Sequence, residues 1–159
     1  MKVTIRRANG ADSEAVADIV RSCWSAYRGV VVDIDREMPE LRQFAAHYET
    51  LGGEAWVAEL EGRIIACLAM TPDEEPGVWM LHKLNVLPEA RRHGIAATMV
   101  RKAETVARAM DAVRMVLWSD TRFVESHSLY ESLGYERMPE TRHLNDLSNT
   151  EEFRFRKSL

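Results

Sequence analysis

The sequence has little cysteine. Cys23 and Cys67 stand far apart and belong to no metal or redox spacing. Both sit among apolar residues and read as buried free thiols, and no metal site is expected. Long hydrophobic runs are missing too. The longest uninterrupted one, residues 64–70 (IIACLAM), is too short to span a membrane. The amino-terminal MKVTIRRANG lacks the apolar core of a signal peptide, so a cytoplasmic protein without a membrane partner is expected. There is no basic surplus. The 21 basic and 25 acidic side chains give a net charge of −4, which argues against nucleic acid as the main partner and mildly favours approach of a cationic ligand. Neither common glycine-rich phosphate fingerprint, Gly-x-Gly-x-x-Gly or Gly-Lys-Ser/Thr, occurs. No internal repeat, low-complexity stretch or linker divides the chain. Its 159 residues, 46% hydrophobic and 29% charged, are expected to form one domain over residues 1–159 with a single sizeable core.

What is present centres on residues 84–110, LNVLPEARRHGIAATMVRKAETVARAM. Leu84 and Val86 end an apolar run of strand character. Pro88, Glu89 and Ala90 then turn the chain. From about Gly94, the positions Ile95, Met99, Ala103, Val106 and Met110 recur at helical spacing. A helix start leaves backbone N–H groups unpaired and carries partial positive charge. Gly94 has no Cβ to keep another molecule from the backbone. Arg91 and Arg92 add charge before the turn, and Ala96 and Ala97 add little bulk. Together these residues predict a cradle for a phosphate or pyrophosphate.

Elsewhere, residues 2–6 alternate as a strand, and Asp12 is placed to cap a helix carrying Val16, Ile19, Val20, Cys23, Trp24 and Tyr27 on its apolar face. Trp24 and Tyr27 fall near that helix's end, where either a core edge or a pocket can use them. Residues 29–36 fit strand or loop, and a second helix is expected over residues 40–50, behind Pro39. Residues 55–60 and 64–70 form a hairpin, residues 78–86 a long strand, and residues 114–118 another. A helix over residues 122–133 ends at Gly134, and strands follow at residues 135–138 and 152–157. The fold class is α/β (α+β), with the order β α α β β β α β α β β. About seven strands make a mixed, mostly antiparallel twisted sheet, flanked by about four helices.

The chain resembles the GNAT superfamily of acetyl-CoA-dependent N-acetyltransferases. Arg91, Gly94 and Ala96 match that family's pyrophosphate signature, Arg or Gln, two variable residues, Gly, one variable residue, then Gly or Ala. Leu84-x-Val86-x-Pro88 is similar to the family's fourth strand and its exit. SLYESLGYER, residues 128–137, is similar to its leucine-tyrosine helix ending in glycine and an aromatic. The resemblance implies acetyl-CoA as co-substrate. It implies that backbone groups of Leu84, Asn85 and Val86 pair with the pantetheine arm. It implies that amides of Arg92, His93, Gly94, Ile95, Ala96 and Ala97 hold the pyrophosphate, beside Arg91. It implies that Tyr130 gives a proton to the leaving thiolate; the bland alternative is a tyrosine packed on the sheet. Many members carry Asn seven residues before this tyrosine, where this sequence has Phe123. The lost hydrogen bond would then fall to Asp120, Thr121 or Ser126.

The implied reaction is direct transfer of an acetyl group to a primary amine in a ternary complex. His82 has a suitable unperturbed pKa for the base, and by alternation shares a face with Leu84 and Val86; a structural histidine fits equally. Glu54, Glu59 and Glu61 are carboxylates on or near the hairpin, with a solvated role as the default. Residues 29–48 and 141–152 are expected to border the acceptor site. Asp33, Asp35 and Glu37 suit either a cationic amine or a solvated acidic loop. A small-molecule amine is the leading acceptor. The alternatives are a protein N-terminus or lysine, a non-catalytic acyl-CoA-binding module, or a binder of some other phosphate ligand. The alternating residues 153–155 (FRF) suggest pairing with a second copy in a homodimer.

Overall fold

The computed structural model describes residues 2–159. Strand β1 (Thr4–Arg7) pairs antiparallel with β2 (Glu54–Leu60), which forms a hairpin with β3 (Arg63–Pro72). The two turn residues, Glu61 and Gly62, both have positive φ, 50° and 79°. That pair of signs lets a two-residue turn follow the right-handed twist of its strands. β4 (Val78–Val86) runs antiparallel to β3, and β5 (Arg114–Asp120) parallel to β4. β7 (Glu151–Ser158) lies between β5 and β6 (Glu136–His143). The sheet has seven strands in the order β1-β2-β3-β4-β5-β7-β6, mixed and mostly antiparallel as expected. The expected pairing of the terminal strand with a second copy is corrected here. Both edges of β7 are filled by neighbours within the chain, and the free edges belong to β1 and β6.

Helix α1 (Ser13–Trp24) buries Val16, Ala17, Ile19, Val20 and Cys23. Asp12 does not cap it with a side-chain bond, because its carboxylate is used elsewhere. It closes a capping box with Asn9 around a 3-10 turn and receives two N–H bonds from Arg6, both 2.9 Å. Residues 29–33 form no strand. They lead into one helical turn, α2 (Ile34–Glu37), capped by the Asp33 carboxylate, and this turn is the fifth helix where about four were expected. The next helix starts as a 3-10 segment at Pro39 and becomes α3 (Phe44–Thr50). α4 (Ile95–Ala109) buries Ile95, Met99, Val100, Ala103 and Ala107. Met110, expected on that stripe, lies past the helix end and is 58% exposed. α5 (Val124–Ser132) completes the set. Residues 55–58 and 65–71 are buried one after another rather than alternately, so both faces of the sheet are covered there. α1 and α3 pack together on one face and α4 on the other.

Two irregularities in β4 position the site. Its parallel pairing with β5 joins only Val78, Met80 and the residue between them to residues 114–116. Beyond Met80 the strands part. On the β3 side, Ala69 stands opposite His82 and Cys67 opposite Asn85, so Lys83 and Leu84 together face one residue, Leu68. This is a β-bulge, and Lys83 carries the positive φ, 56°, that goes with it. The bulge overturns the expectation drawn from simple alternation. Residues opposite one another share a face, so His82 shares its face with Asn85 rather than with Leu84 and Val86.

Candidate active site

The parting of β4 from β5 opens two cavities that meet. One, of about 480 Å³, lies over the start of α4. The other, of about 450 Å³, lies between β4, the segment leading into α3, and the β5–β7–β6 half of the sheet. Trp24, Leu84, Asn85, Phe123 and Ser126 line both.

The first cavity sets the backbone at the start of α4 against an aromatic wall. Gly94 caps α4 in a left-handed conformation, φ 74°, and Arg92 is also left-handed, φ 64°. Among the described residues, the amides of Arg92, His93, Gly94, Ile95, Ala96 and Ala97 donate to no acceptor in the chain; the helix's first bond is Thr98 N–H to the Gly94 carbonyl, 3.0 Å. A Cβ placed on Gly94 would meet nothing within 4 Å, so the space above it is open. Unpaired amides at the positive end of a helix dipole, with open space before them, suit an anion. Of the ten residues expected to contact a coenzyme, nine line this cavity and His93 does not. The Arg91 side chain turns back to the strand. Its Nε donates to the Val86 carbonyl at 3.0 Å, and the Cys23 thiol donates to the same oxygen at 3.3 Å. Both lone pairs of that carbonyl are therefore engaged, so Val86 can offer a ligand only its N–H.

An aromatic wall separates the cavities. Phe123 stacks on Tyr27 at 4.6 Å and on Trp24 at 5.7 Å between ring centres. The Trp24 indole N–H donates to Asn85 Oδ1 at 3.2 Å, and the Tyr27 hydroxyl donates to Glu125 at 3.1 Å. Of the three candidates to replace an asparagine's hydrogen bond, Ser126 lines both cavities. Asp120 is held by Arg122 through two bonds of 2.9 Å, and the Thr121 amide donates to Glu151.

The second cavity is built from side chains. Tyr130 lines it, 7% exposed, with its ring against Phe155 at 5.7 Å and Tyr135 at 5.9 Å. Burial raises its pKa, so the phenol holds its proton at neutral pH. His82 also lines this cavity. Its Nε2 shares a 2.7 Å hydrogen bond with the Thr71 hydroxyl and its ring lies 5.4 Å from Tyr48. Burial first, then the neighbouring Lys83 charge, brings its pKa down to about 4. The imidazole is neutral at pH 7, free to accept a proton but poorly able to keep one. Glu40, His47, Tyr48, Arg142, Leu144, Asp146, Thr150 and Glu152 come from the two segments expected to border an acceptor.

The acidic candidates are occupied elsewhere. Asp33 accepts from the Arg36 amide, Asp35 from Arg42 and Glu37 from the Leu147 amide; none lines either cavity. Glu54 and Glu59 pair with Arg7 and Arg6. Cys23 and Cys67 are buried free thiols; burial raises both, Cys67 to about 12, so neither is a nucleophile at neutral pH. The residues that sequence reasoning passed over are Lys83, Glu40 and Arg142. The signal for Lys83 was a charged residue inside the apolar strand VWMLHKLNV.

The family model described as Acetyltransferase (GNAT) family matches residues 14–135. The uncharacterized N-acetyltransferase YjgM of Escherichia coli K12 is 29% identical over 138 residues, covering 84% of this chain and 82% of that protein. The N-acetylaspartate synthetase of Xenopus tropicalis is 30% identical over 107 residues; the match covers 67% of this chain but 39% of the synthetase. The PaiA N-acetyltransferase of Thermoplasma acidophilum, solved in complex with coenzyme A, superposes with a TM-score of 0.76 over 100% of both chains at 16% identity. Among the described residues no helix is long and apolar enough to cross a membrane. The match over most of the chain, joined to the seven-stranded sheet with its parted β4 and β5, identifies the protein as a member of the GNAT family of acetyltransferases.

Proposed function

We propose that the protein is an N-acetyltransferase that moves the acetyl group of acetyl-CoA to the primary amine of a small molecule, within one domain. The observation that carries this is the meeting of two cavities at the β4–β5 parting, one edged by unpaired amides and the other by a buried, protonated phenol. The first suits the coenzyme. The amides of residues 92–97 take the pyrophosphate, and the open edge of β4 at Leu84, Asn85 and Val86 pairs with the pantetheine arm as an added strand would. Ser126 supplies the polar side-chain contact that Phe123 cannot. The second cavity takes the acceptor. The name of the N-acetylaspartate synthetases, an acetylated amino acid, favours a small molecule over a protein tail.

The neutral amine attacks the thioester carbonyl carbon, forming C–N and placing negative charge on the carbonyl oxygen. The intermediate collapses, C–S breaks, and the thiolate takes the proton of the Tyr130 hydroxyl. The proton shed by the amine leaves through water and restores the phenol. The products are an N-acetyl amide and coenzyme A. Holding both reactants in adjoining cavities supplies much of the rate. His82 is a weak relay at most, because its buried imidazolium is disfavoured. The test is thiol release from acetyl-CoA across an amine panel, alongside melting curves. A rise in Tm with acetyl-CoA and amine-dependent thiol release are expected. No Tm shift at millimolar acetyl-CoA removes the reading; a shift with no thiol released by any amine leaves only a binding module.

A further inference from the structure

Lys83 is the least satisfied charge in the acceptor cavity. Its side chain is 18% exposed, yet its ammonium makes no hydrogen bond within the chain; its one carboxylate neighbour, Glu40 Oε1, stands 3.8 Å away. The Trp24 ring lies 5.3 Å from Nζ. The ammonium reaches the cavity rather than being sealed in the core, so its three donors are open to a ligand. The other charged groups in the lining are matched. Asp120 takes Arg122 through two bonds of 2.9 Å, and Asp146 takes the Thr150 amide at 2.8 Å and hydroxyl at 2.6 Å. Glu152 takes Arg142 Nε at 2.7 Å, and the Arg142 guanidinium lies over Trp118, 4.4 Å from the ring centre. Only the pair Lys83–Glu40 stands apart, too far for a hydrogen bond and bordering the cavity.

Its place matters as much as its charge. Lys83 sits in the β4 bulge, next to Leu84 and Asn85, and against Trp24, all three of which line both cavities. That is where an amine must meet a thioester. A group bound by Lys83 therefore lies close to the reacting nitrogen.

We propose that Lys83 anchors a carboxylate of the acceptor, so that the substrate class is amino acids, amines bearing a carboxylate a few bonds from the nitrogen. Glu40 then faces the acceptor's ammonium before it loses its proton, and the two ends of the zwitterion replace the loose ion pair. This rests on the acetyl-transfer reading of the same site.

The experiment compares α-amino acids with their carboxamides as acceptors in thiol release, for the native protein and the variants K83Q and K83R. The native protein is expected to prefer the free acid by roughly 100-fold in kcat/KM, the range for a hydrogen-bonded charge. K83Q should collapse that preference by raising KM for the acid while leaving KM for acetyl-CoA unchanged. K83R should restore part of it. Carboxamides or polyamines used as well as amino acids, or an undiminished preference in K83Q, overturn the inference and leave acetyl transfer standing. Should no acceptor release thiol, melting of the CoA-loaded protein decides. Stabilisation by amino acids over their carboxamides, lost in K83Q, supports the anchor although transfer has failed; equal or absent stabilisation overturns it. Native-like melting of ligand-free K83Q excludes misfolding as the cause.

Discussion

The two cavities are of similar volume but of different construction. The cavity over α4 sets main-chain amides, a glycine and two alanines against an aromatic wall, and it is the direction of the backbone that suits it to an anion. The cavity beside α3 presents long polar and charged side chains from four distant parts of the chain. The first depends on the backbone path of one turn, held by Gly94 in a left-handed conformation. The second changes with each residue that lines it. One fold can keep a common donor and vary its acceptor in just this way, and function follows the site rather than the scaffold.

The sharpest way to break this comparison is to place a side chain in the backbone-built half. Gly94→Glu adds a carboxylate where the amides point, in a left-handed conformation that non-glycine residues avoid. Coenzyme affinity should fall by at least about 100-fold, with charge repulsion added to strain. Titration calorimetry with coenzyme A measures this, and near-native affinity would show that the anion sits elsewhere. Next in size, Tyr130→Phe should lower kcat by roughly 100-fold, the low end for a positioned general acid, with coenzyme affinity kept. An unchanged kcat returns Tyr130 to packing against Phe155. Phe123→Ala opens the wall between the cavities. Both KM values should rise together, each by less than about ten-fold, the scale of a lost aromatic contact. A change in only one would assign the wall to that cavity.

The smallest effect on turnover is expected for His82→Gln. Its signature is in stability. The folded His82 has a pKa near 4 against 6.5 when free, so the unfolded chain binds more protons between those values. This contribution is fully present above pH 6.5 and lost as pH falls toward 4. The variant should flatten that acid limb of the Tm curve. A limb of unchanged slope would point instead to His127, whose pKa burial also lowers.

The cradle was legible in the sequence because it is local. Residues 88–97 carry the turn, the basic loop and the small first turn within ten positions, and periodicity placed a helix behind them. The acceptor cavity was legible only as two bordering segments. Glu40, Lys83 and Arg142 come from a 3-10 segment, β4 and β6, and tertiary packing that no spacing along the chain reveals brings them together. The bulge was missed because one extra residue leaves no mark on composition yet inverts the side-chain phase after it. That is why His82 was placed beside Leu84. Phe123 was read as a missing hydrogen bond; it is instead the centre of a wall whose other rings, Trp24 and Tyr27, lie about a hundred residues earlier. The acidic loop drew attention by charge alone, and its carboxylates are used by neighbouring amides and an arginine.

The two cysteines fasten β4 in place, Cys23 at the Val86 carbonyl and Cys67 at that of Lys83. Hidden from solvent and slow to ionise, they are silent toward thiol-reactive dyes while the chain stays folded. A colorimetric signal during turnover then comes from liberated coenzyme alone, and sudden labelling of the protein marks the moment its central strand lets go.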